Sequence, residues 1–349
     1  MRALVFESFG GPLSVRDVPD PRPSPGGVVV RVGATGVCRS DWHGWQGHDP
    51  DIRLPHVPGH ELAGTIEAVG ADVRRWRPGD RVTVPFVCAC GSCAQCLSGD
   101  AQVCAHQTQP GFTHWGSFAE LVALHAADVN LVALPESLPF STAAALGCRY
   151  ATSYRAVVAQ GRVRAGEWVA VHGCGGVGLS AVQIAVAAGA RVVAVDVASG
   201  ALELAGRLGA EVVLDAHEGK VVAAVLEATG GGAHLSLDAL GSLQTCVDSV
   251  SCLRPRGRHV QVGLLPPAQG RPLVPMDRVV ALELELRGSH GMAASAYPEL
   301  LGLVAAGRLR PGLLVTRELG LDEAGAALAE VGRSPGIAVV TSFSGPPGS

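Results

Sequence analysis

The sequence predicts an α/β fold, a doubly wound parallel sheet joined to a mainly β lobe, on three observations. Residues 27 to 86 hold short β-rich runs (VVVRV, GTIEAV, RVTVPF) separated by turns containing Gly, Pro and Asp, the grammar of an all-β unit. From about residue 147 apolar strands alternate with helical segments, which implies parallel pairing through right-handed crossovers. Where the first of these strands meets its helix, the chain reads GCGGVG, Gly173 to Gly178.

Along the chain, the β-rich runs give way at 88 to 117 to a Cys-, Gly- and Gln-rich stretch without regular periodicity. EWVAVHG, GARVVAVD, GAEVVLD, AHLSLDAL and GRHVQVGL follow as strands, with LSAVQIAVAAG, ALELAGRL, KVVAAVLEA and TCVDSVSCL as the helices between them. YPELLGLVAAG and DEAGAALAEVG read as helices, IAVVTSF as a closing strand, and the SGPPGS tail as a flexible end.

A chain of 349 residues, 48% hydrophobic, suits two packed domains. The net charge of −4 comes from scattered residues and offers no footprint for nucleic acid or an anionic membrane. Lys220 is the sole lysine, which disfavours Schiff-base chemistry. MRALVFESFGG lacks the cationic start and apolar run of a signal peptide, and no run reaches the ~18–20 apolar residues of a membrane span. A cytoplasmic location is expected, where ten cysteines point to metal binding before disulfides.

The glycine-rich turn gains weight from its context. Gly173, Gly175 and Gly178 fit G-x-G-x-x-G between a strand and a helix, a Rossmann-type fingerprint whose helix N-terminus meets a pyrophosphate. Asp196 ends the next strand, near the expected spacing of ~20 residues for a carboxylate on the ribose 2′-hydroxyl. That carboxylate repels a 2′-phosphate, and Val197, Ala198 and Ser199 supply no arginine to accept one, so NAD(H) is favoured over NADP(H).

Five cysteines crowd between Cys88 and Cys104. Cys90, Cys93, Cys96 and Cys104 fit a C-x2-C-x2-C-x7-C frame for a structural zinc with four thiolates and no open position. Cys88 is spare, and His106 competes for a place. A zinc ribbon for nucleic acid would need a basic cluster beside it, which the sequence lacks.

These features fall in register with others. C-R-S-D-x-H (Cys38 to His43), G-H-E (Gly59 to Glu61), the four-cysteine stretch, G-C-R-Y-A-T (Gly147 to Thr152) and G-C-G-G-V-G together resemble the zinc-dependent alcohol dehydrogenases of the medium-chain superfamily. The resemblance covers essentially the whole chain. It implies a catalytic zinc on Cys38, His60 and Cys148 with one open position, Glu61 behind the metal and Asp41 orienting the histidine ligand. It also implies hydride transfer between a zinc-bound alcohol and NAD⁺, giving an aldehyde or ketone. Ser40 and His43 match the relay that carries the proton out through the cofactor ribose. Arg39 matches a pyrophosphate contact, and Gly176, Val177 and Thr152 belong to the cofactor turn and the nicotinamide face. Phe86, Trp45 and Trp115 match the substrate channel, which favours hydrophobic or aromatic alcohols. His48 and His56 have no match and are expected to be loop residues. Many relatives carry an arginine in the closing strand, and here the nearest basic residue is Arg333.

The resemblance further implies a catalytic domain of residues 1–147 and 289–349, partly barrel-like (GroES-like), and a coenzyme domain of residues 148–288. A homotetramer is expected, with a homodimer as the alternative, paired through the sheet edge near 260–287. The partners are a small-molecule alcohol and its carbonyl product, with two Zn²⁺ per chain. Competing assignments are an NADPH-dependent aldehyde or enal reductase, which Asp196 opposes, and a polyol dehydrogenase, which would carry a carboxylate in place of Cys148. An inactive zinc-binding or nucleic-acid-binding relative should have lost Cys38, His60 or Ser40, and all three are present.

Overall fold

The computed structural model describes residues 1–265 and 270–344, so the tail beyond Ser344 lies outside the described residues. Strands β1 (Arg2–Val5) and β2 (Ser14–Asp17) form an antiparallel hairpin. Next come β3 (Val28–Val37), β4 (Glu61–Val69), β5 (Arg81–Thr83), β6 (Leu121–Leu124) and β7 (Val132–Ala133). The second half contributes β8 (Trp168–His172), β9 (Arg191–Asp196), β10 (Val212–Asp215), β11 (Ala233–Asp238), β12 (Leu253–Gln261) and β13 (Glu285–Gly288). Strands β14 (Val315–Gly320) and β15 (Ile337–Ser342) close the chain.

Six of these strands form one sheet in the order β10-β9-β8-β11-β12-β13, all parallel. The central strand β8, WVAVH, is buried at every position, as expected of a strand covered by helices on both faces. Strand order reverses between β8 and β11, and the glycine-rich turn follows β8 at this switch point, where doubly wound sheets bind ligands.

The other sheet runs β14-β15-β3-β4-β5-β7, with β6 also on β3. It is antiparallel except for the β14–β15 pair. β3 is its long central element, and register shifts at Val29/Val30 and Val32/Ala34 interrupt its pairing with β4, which bends such a strand. The β3–β4 register sets Gly36 opposite Glu61. Cys38 and His60 therefore emerge at the same end of the sheet, although 21 positions separate them in the chain.

A helical run from Leu146 to Gln160 joins the two sheets. Its ends, Leu146–Tyr150 and Arg155–Gln160, are wound in wide π-type turns around an α-helical middle, Ala151–Tyr154; such turns recur at functional sites. One apolar core passes through this run. It includes Ala34 and Ala63 of the first sheet, Leu146, Tyr150 and Val157 of the run, and Val169 and Leu235 of the parallel sheet. Among the described residues no helix is long and apolar enough to cross a membrane.

The strands and helices expected in the second half are present, with ends displaced by a few residues. β13 and β14 were not expected. ELRG and VTRELG are largely exposed or half-buried, so neither carries the apolar run that marks a covered strand.

Candidate active site and metal centres

Cys38 follows β3 and stands at the N-cap of the short helix Arg39–Trp45. Asp41, in the first turn of that helix, is buried and ties two segments together. Its carboxylate accepts the Cys38 N–H (3.1 Å), the Gly59 N–H (3.0 Å) and the His60 Nδ1–H (2.8 Å). This bond fixes the tautomer of His60 and leaves Nε2 free to face the cluster. Gly59 has φ +108, and a Cβ there would lie 2.7 Å from the Phe118 nitrogen, so the residue before His60 must be glycine.

Cys148 enters from the helical run, which is braced by Tyr297: its hydroxyl lies 3.2 Å from the Gly147 carbonyl and 3.3 Å from that of Leu146. One donor atom each from Cys38, His60, Cys148 and Glu61 falls within 4.8 Å of the others. His60 and Glu61 are 0% exposed. His60 Nε2 is buried and has no hydrogen-bond partner among the described residues, a costly state for a polar atom unless a metal or other ligand meets it. The hydrogen bond from Cys148 pulls the Cys38 thiol well below its ordinary range, against the effect of burial. Burial alone would depress His60, but the Asp41 carboxylate outweighs it and holds the imidazole well above its ordinary value. Two sulfurs and one imidazole nitrogen are the donor set of a catalytic zinc that keeps an open position.

The second cluster is local. Cys90, Cys93, Cys96 and Cys104 bring four sulfurs within 4.8 Å, with Cys93 Sγ 3.4 Å from Cys96 Sγ and 3.7 Å from Cys104 Sγ. Backbone N–H groups of Cys90, Ser92 and His106 point at sulfurs of the set. The N–H and hydroxyl of Ser92 draw the Cys90 thiol down to about 5, whereas burial and the neighbouring sulfurs push Cys96 up to about 12. Four sulfurs this close become thiolates together only around a cation, and the set matches a closed zinc site. Asn130 anchors the lobe by exchanging hydrogen bonds with the backbone of Ala89. Cys88 lies outside the cluster, buried, its backbone paired with Thr108. His106 contributes only its backbone N–H.

On the cofactor side, Gly173 turns the chain at φ +89, and the helix Gly176–Ala187 begins with Gly175 at its N-cap. Val177 and Gly178 lie in its first turn. Asp196 accepts the N–H groups of Val197 (2.7 Å), Ala198 (2.8 Å) and Cys174. A carboxylate has about four acceptor sites, so one remains for a hydroxyl. Thr152 Oγ1 is buried and unpartnered among the described residues. The guanidinium of Arg39 sits 4.6 Å over Trp42 and reaches the Val331 carbonyl at 3.4 Å. It therefore faces the loop that carries the exposed Arg333.

The remaining candidates divide. Phe86 packs edge-on to His60, centroids 6.2 Å apart. Phe112 lies closer, at 5.3 Å, and His290 stands 5.2 Å from Phe86; sequence reasoning missed both. Trp45 packs against the Phe6–Ile52–Phe112 group and donates to the Gly11 carbonyl, and Trp115 donates to the Pro55 carbonyl. Ser40 and His43 share the short helix at i and i+3, adjacent on its surface. His43 Nδ1 lies 2.9 Å from Nδ1 of His48, so His48, expected to be a plain loop residue, is a partner of His43. His56 is buried in a backbone bridge with Phe6.

A family model described as an alcohol dehydrogenase GroES-like domain matches residues 24–136, and one described as a zinc-binding dehydrogenase matches residues 176–306. An alcohol dehydrogenase of Geobacillus stearothermophilus is 40% identical over 268 residues, 76% of this chain and 78% of its own. The alcohol dehydrogenase TADH from Thermus sp. ATN1 has a similar structure, with TM-score 0.90 and 33% identity over 98% of this chain and 100% of that one. Benzyl alcohol dehydrogenase from Acinetobacter calcoaceticus gives TM-score 0.91 and 26% identity over 98% and 99%.

Proposed function

The chain belongs to the zinc-dependent medium-chain alcohol dehydrogenase family, and from that premise we propose that it transfers hydride reversibly between a hydrophobic primary or secondary alcohol and NAD⁺. The observation that carries this is the buried Cys38–His60–Cys148 cluster, with His60 Nε2 left unpartnered. A zinc ion held there would act as a Lewis acid and lower the pKa of the alcohol. NAD⁺ at the glycine-rich turn would accept the hydride.

The chain's own residues do the rest. Asp41 locks His60 in the tautomer that presents Nε2. Thr152 and Val177 would contact the nicotinamide, and Asp196 would accept a ribose hydroxyl while repelling a 2′-phosphate. Ser40 takes the alcohol's proton and His43 passes it towards the surface, with His48 next in line. Phe86 and Phe112, beside His60, would exclude water from the reacting carbon, which supports hydrophobic substrates. The sulfurs of Cys90, Cys93, Cys96 and Cys104 would hold a structural zinc. The cleft between residues 1–147 with 289–349 and residues 148–288 holds the reaction. The outer edge of β13, beside the exposed Val280 and Leu286, supports a homo-oligomer paired through that edge.

The test is cofactor reduction with NAD⁺ and NADP⁺ across aliphatic, aromatic and polyol alcohols. Rapid NAD⁺ reduction with benzyl or medium-chain alcohols is expected. Preference for NADP⁺, or for polyols, would overturn the cofactor or the substrate assignment respectively.

A further inference from the structure

Two residues next to metal-ligand positions pair with each other. Glu61 follows His60, and Arg149 follows Cys148. The Glu61 carboxylate takes the Arg149 backbone N–H (2.9 Å) and Nε–H (2.9 and 3.0 Å), and Nη2 donates to the second oxygen as well. Both residues are buried, Arg149 at 6% exposure. Both carboxylate oxygens are thus committed to one guanidinium in a bidentate pair. Yet a Glu61 oxygen lies within 4.8 Å of the donor atoms of Cys38, His60 and Cys148, close enough to become a fourth protein ligand if released.

The clasp is built into its surroundings. Gly36, opposite Glu61 in the sheet, leaves room for it: a Cβ there would lie 2.9 Å from Arg149 Nη2 and closer still to the Glu61 carboxylate. Gly176 leaves room on the other side. The dinucleotide fingerprint needs glycine at 173, 175 and 178 but not at 176. The structure supplies a different reason: a Cβ on Gly176 would run into Cδ of Arg149 and lie 3.3 Å from Nε and Nη1. The first turn of the cofactor helix therefore rests on the side chain that pins Glu61.

We propose that Arg149 is a positioning residue of the metal centre: it holds the Glu61 carboxylate off the fourth coordination position, keeps that position open for substrate, and is itself braced by the cofactor helix at Gly176. The proposal rests on the metal-centre assignment above. A buried pair broken on one side leaves an uncompensated charge, and the nearest replacement cation for Glu61 would be the metal.

The experiment uses protein with zinc in the four-cysteine lobe and cobalt(II) exchanged into the Cys38–His60–Cys148 cluster, with imidazole as the probe of the open position. Arg149→Met should shift the cobalt d–d bands towards carboxylate coordination and weaken imidazole binding about tenfold or more. The double variant Arg149→Met with Glu61→Gln removes the stranded charge and should restore both the wild-type bands and imidazole affinity. A merely structural role for Arg149 would not produce that rescue. Gly176→Ala, which keeps both members of the pair, should give a smaller shift in the same direction by pushing Arg149 aside. Unchanged bands in Arg149→Met, or no rescue in the double variant, would overturn the clasp while leaving the metal centre intact. Wild-type protein with no thiolate-to-cobalt charge-transfer band from the exchanged site would overturn the metal-centre assignment and the clasp with it.

Discussion

The four-cysteine lobe and the Cys38–His60–Cys148 cluster gather their donors in opposite ways. The lobe draws all four sulfurs from residues 90 to 104 and sits in a half-exposed loop. A metal there substitutes for an apolar core and holds the loop closed. The other cluster takes its donors from the end of β3, the start of β4 and the helical run, spread over residues 38 to 148, and the fold brings them together. Its positioning depends on outer partners: Asp41 on His60, Arg149 on Glu61 and Tyr297 on the Cys148 turn. A site made by chelation should fail by unfolding. A site made by the fold should fail by losing chemistry.

The sharpest break in this contrast is expected from His60→Ala. It should lower kcat/KM for alcohol oxidation about a thousandfold or more while the lobe retains its metal, as read by steady-state kinetics with metal analysis. Cys96→Ser should do the reverse. Chemical denaturation should show a loss of about 3 kcal/mol or more, and the molecules that remain folded should keep most of their turnover. Comparable turnover losses in the two variants would erase the distinction.

Smaller changes sharpen it. Asp41→Asn removes the charge that holds His60 and should weaken metal binding at the buried cluster about ten- to hundredfold, measured by competition with a chromophoric chelator, without moving the lobe affinity. His43→Asn should leave both metals in place and slow alcohol oxidation about tenfold. Burial, then the neighbouring charges of Arg39 and His48, hold the His43 imidazole below its ordinary value. The neutral, proton-accepting form therefore persists below that ordinary value and is lost only as the pH falls through the lowered one. A pH–rate profile should show the wild-type rate declining below about pH 6.5, and this acid limb should be absent in His43→Asn.

The same contrast decides what the sequence could disclose. The lobe is legible from spacing alone, because its geometry is local. The parallel sheet is legible because WVAVH, RVVAVD and AHLSLD are apolar runs bounded by glycine turns, whereas β13 and β14 are edge strands with exposed faces and no such signal. The buried cluster required several motifs in register, since nothing near Cys38 says that Cys148 will meet it. The Arg149–Glu61 pair was not foreseen: an arginine within GCRYAT gives no hint that β4 will place a carboxylate against it. The surplus glycine at 176 was the available clue, because the fingerprint did not need it. The His43–His48 contact escaped for a similar reason, since it depends on how the chain turns at Gly47 after the short helix.

The most direct test of a separate, fold-assembled catalytic metal is an anomalous difference map of the zinc-loaded crystal at the zinc edge. Two peaks are predicted. One should lie among Cys90, Cys93, Cys96 and Cys104, and the other about 2.0–2.3 Å from His60 Nε2 and the sulfurs of Cys38 and Cys148, with Glu61 still on Arg149. A single peak in the lobe, with His60 Nε2 bound to anything other than a metal, would contradict it.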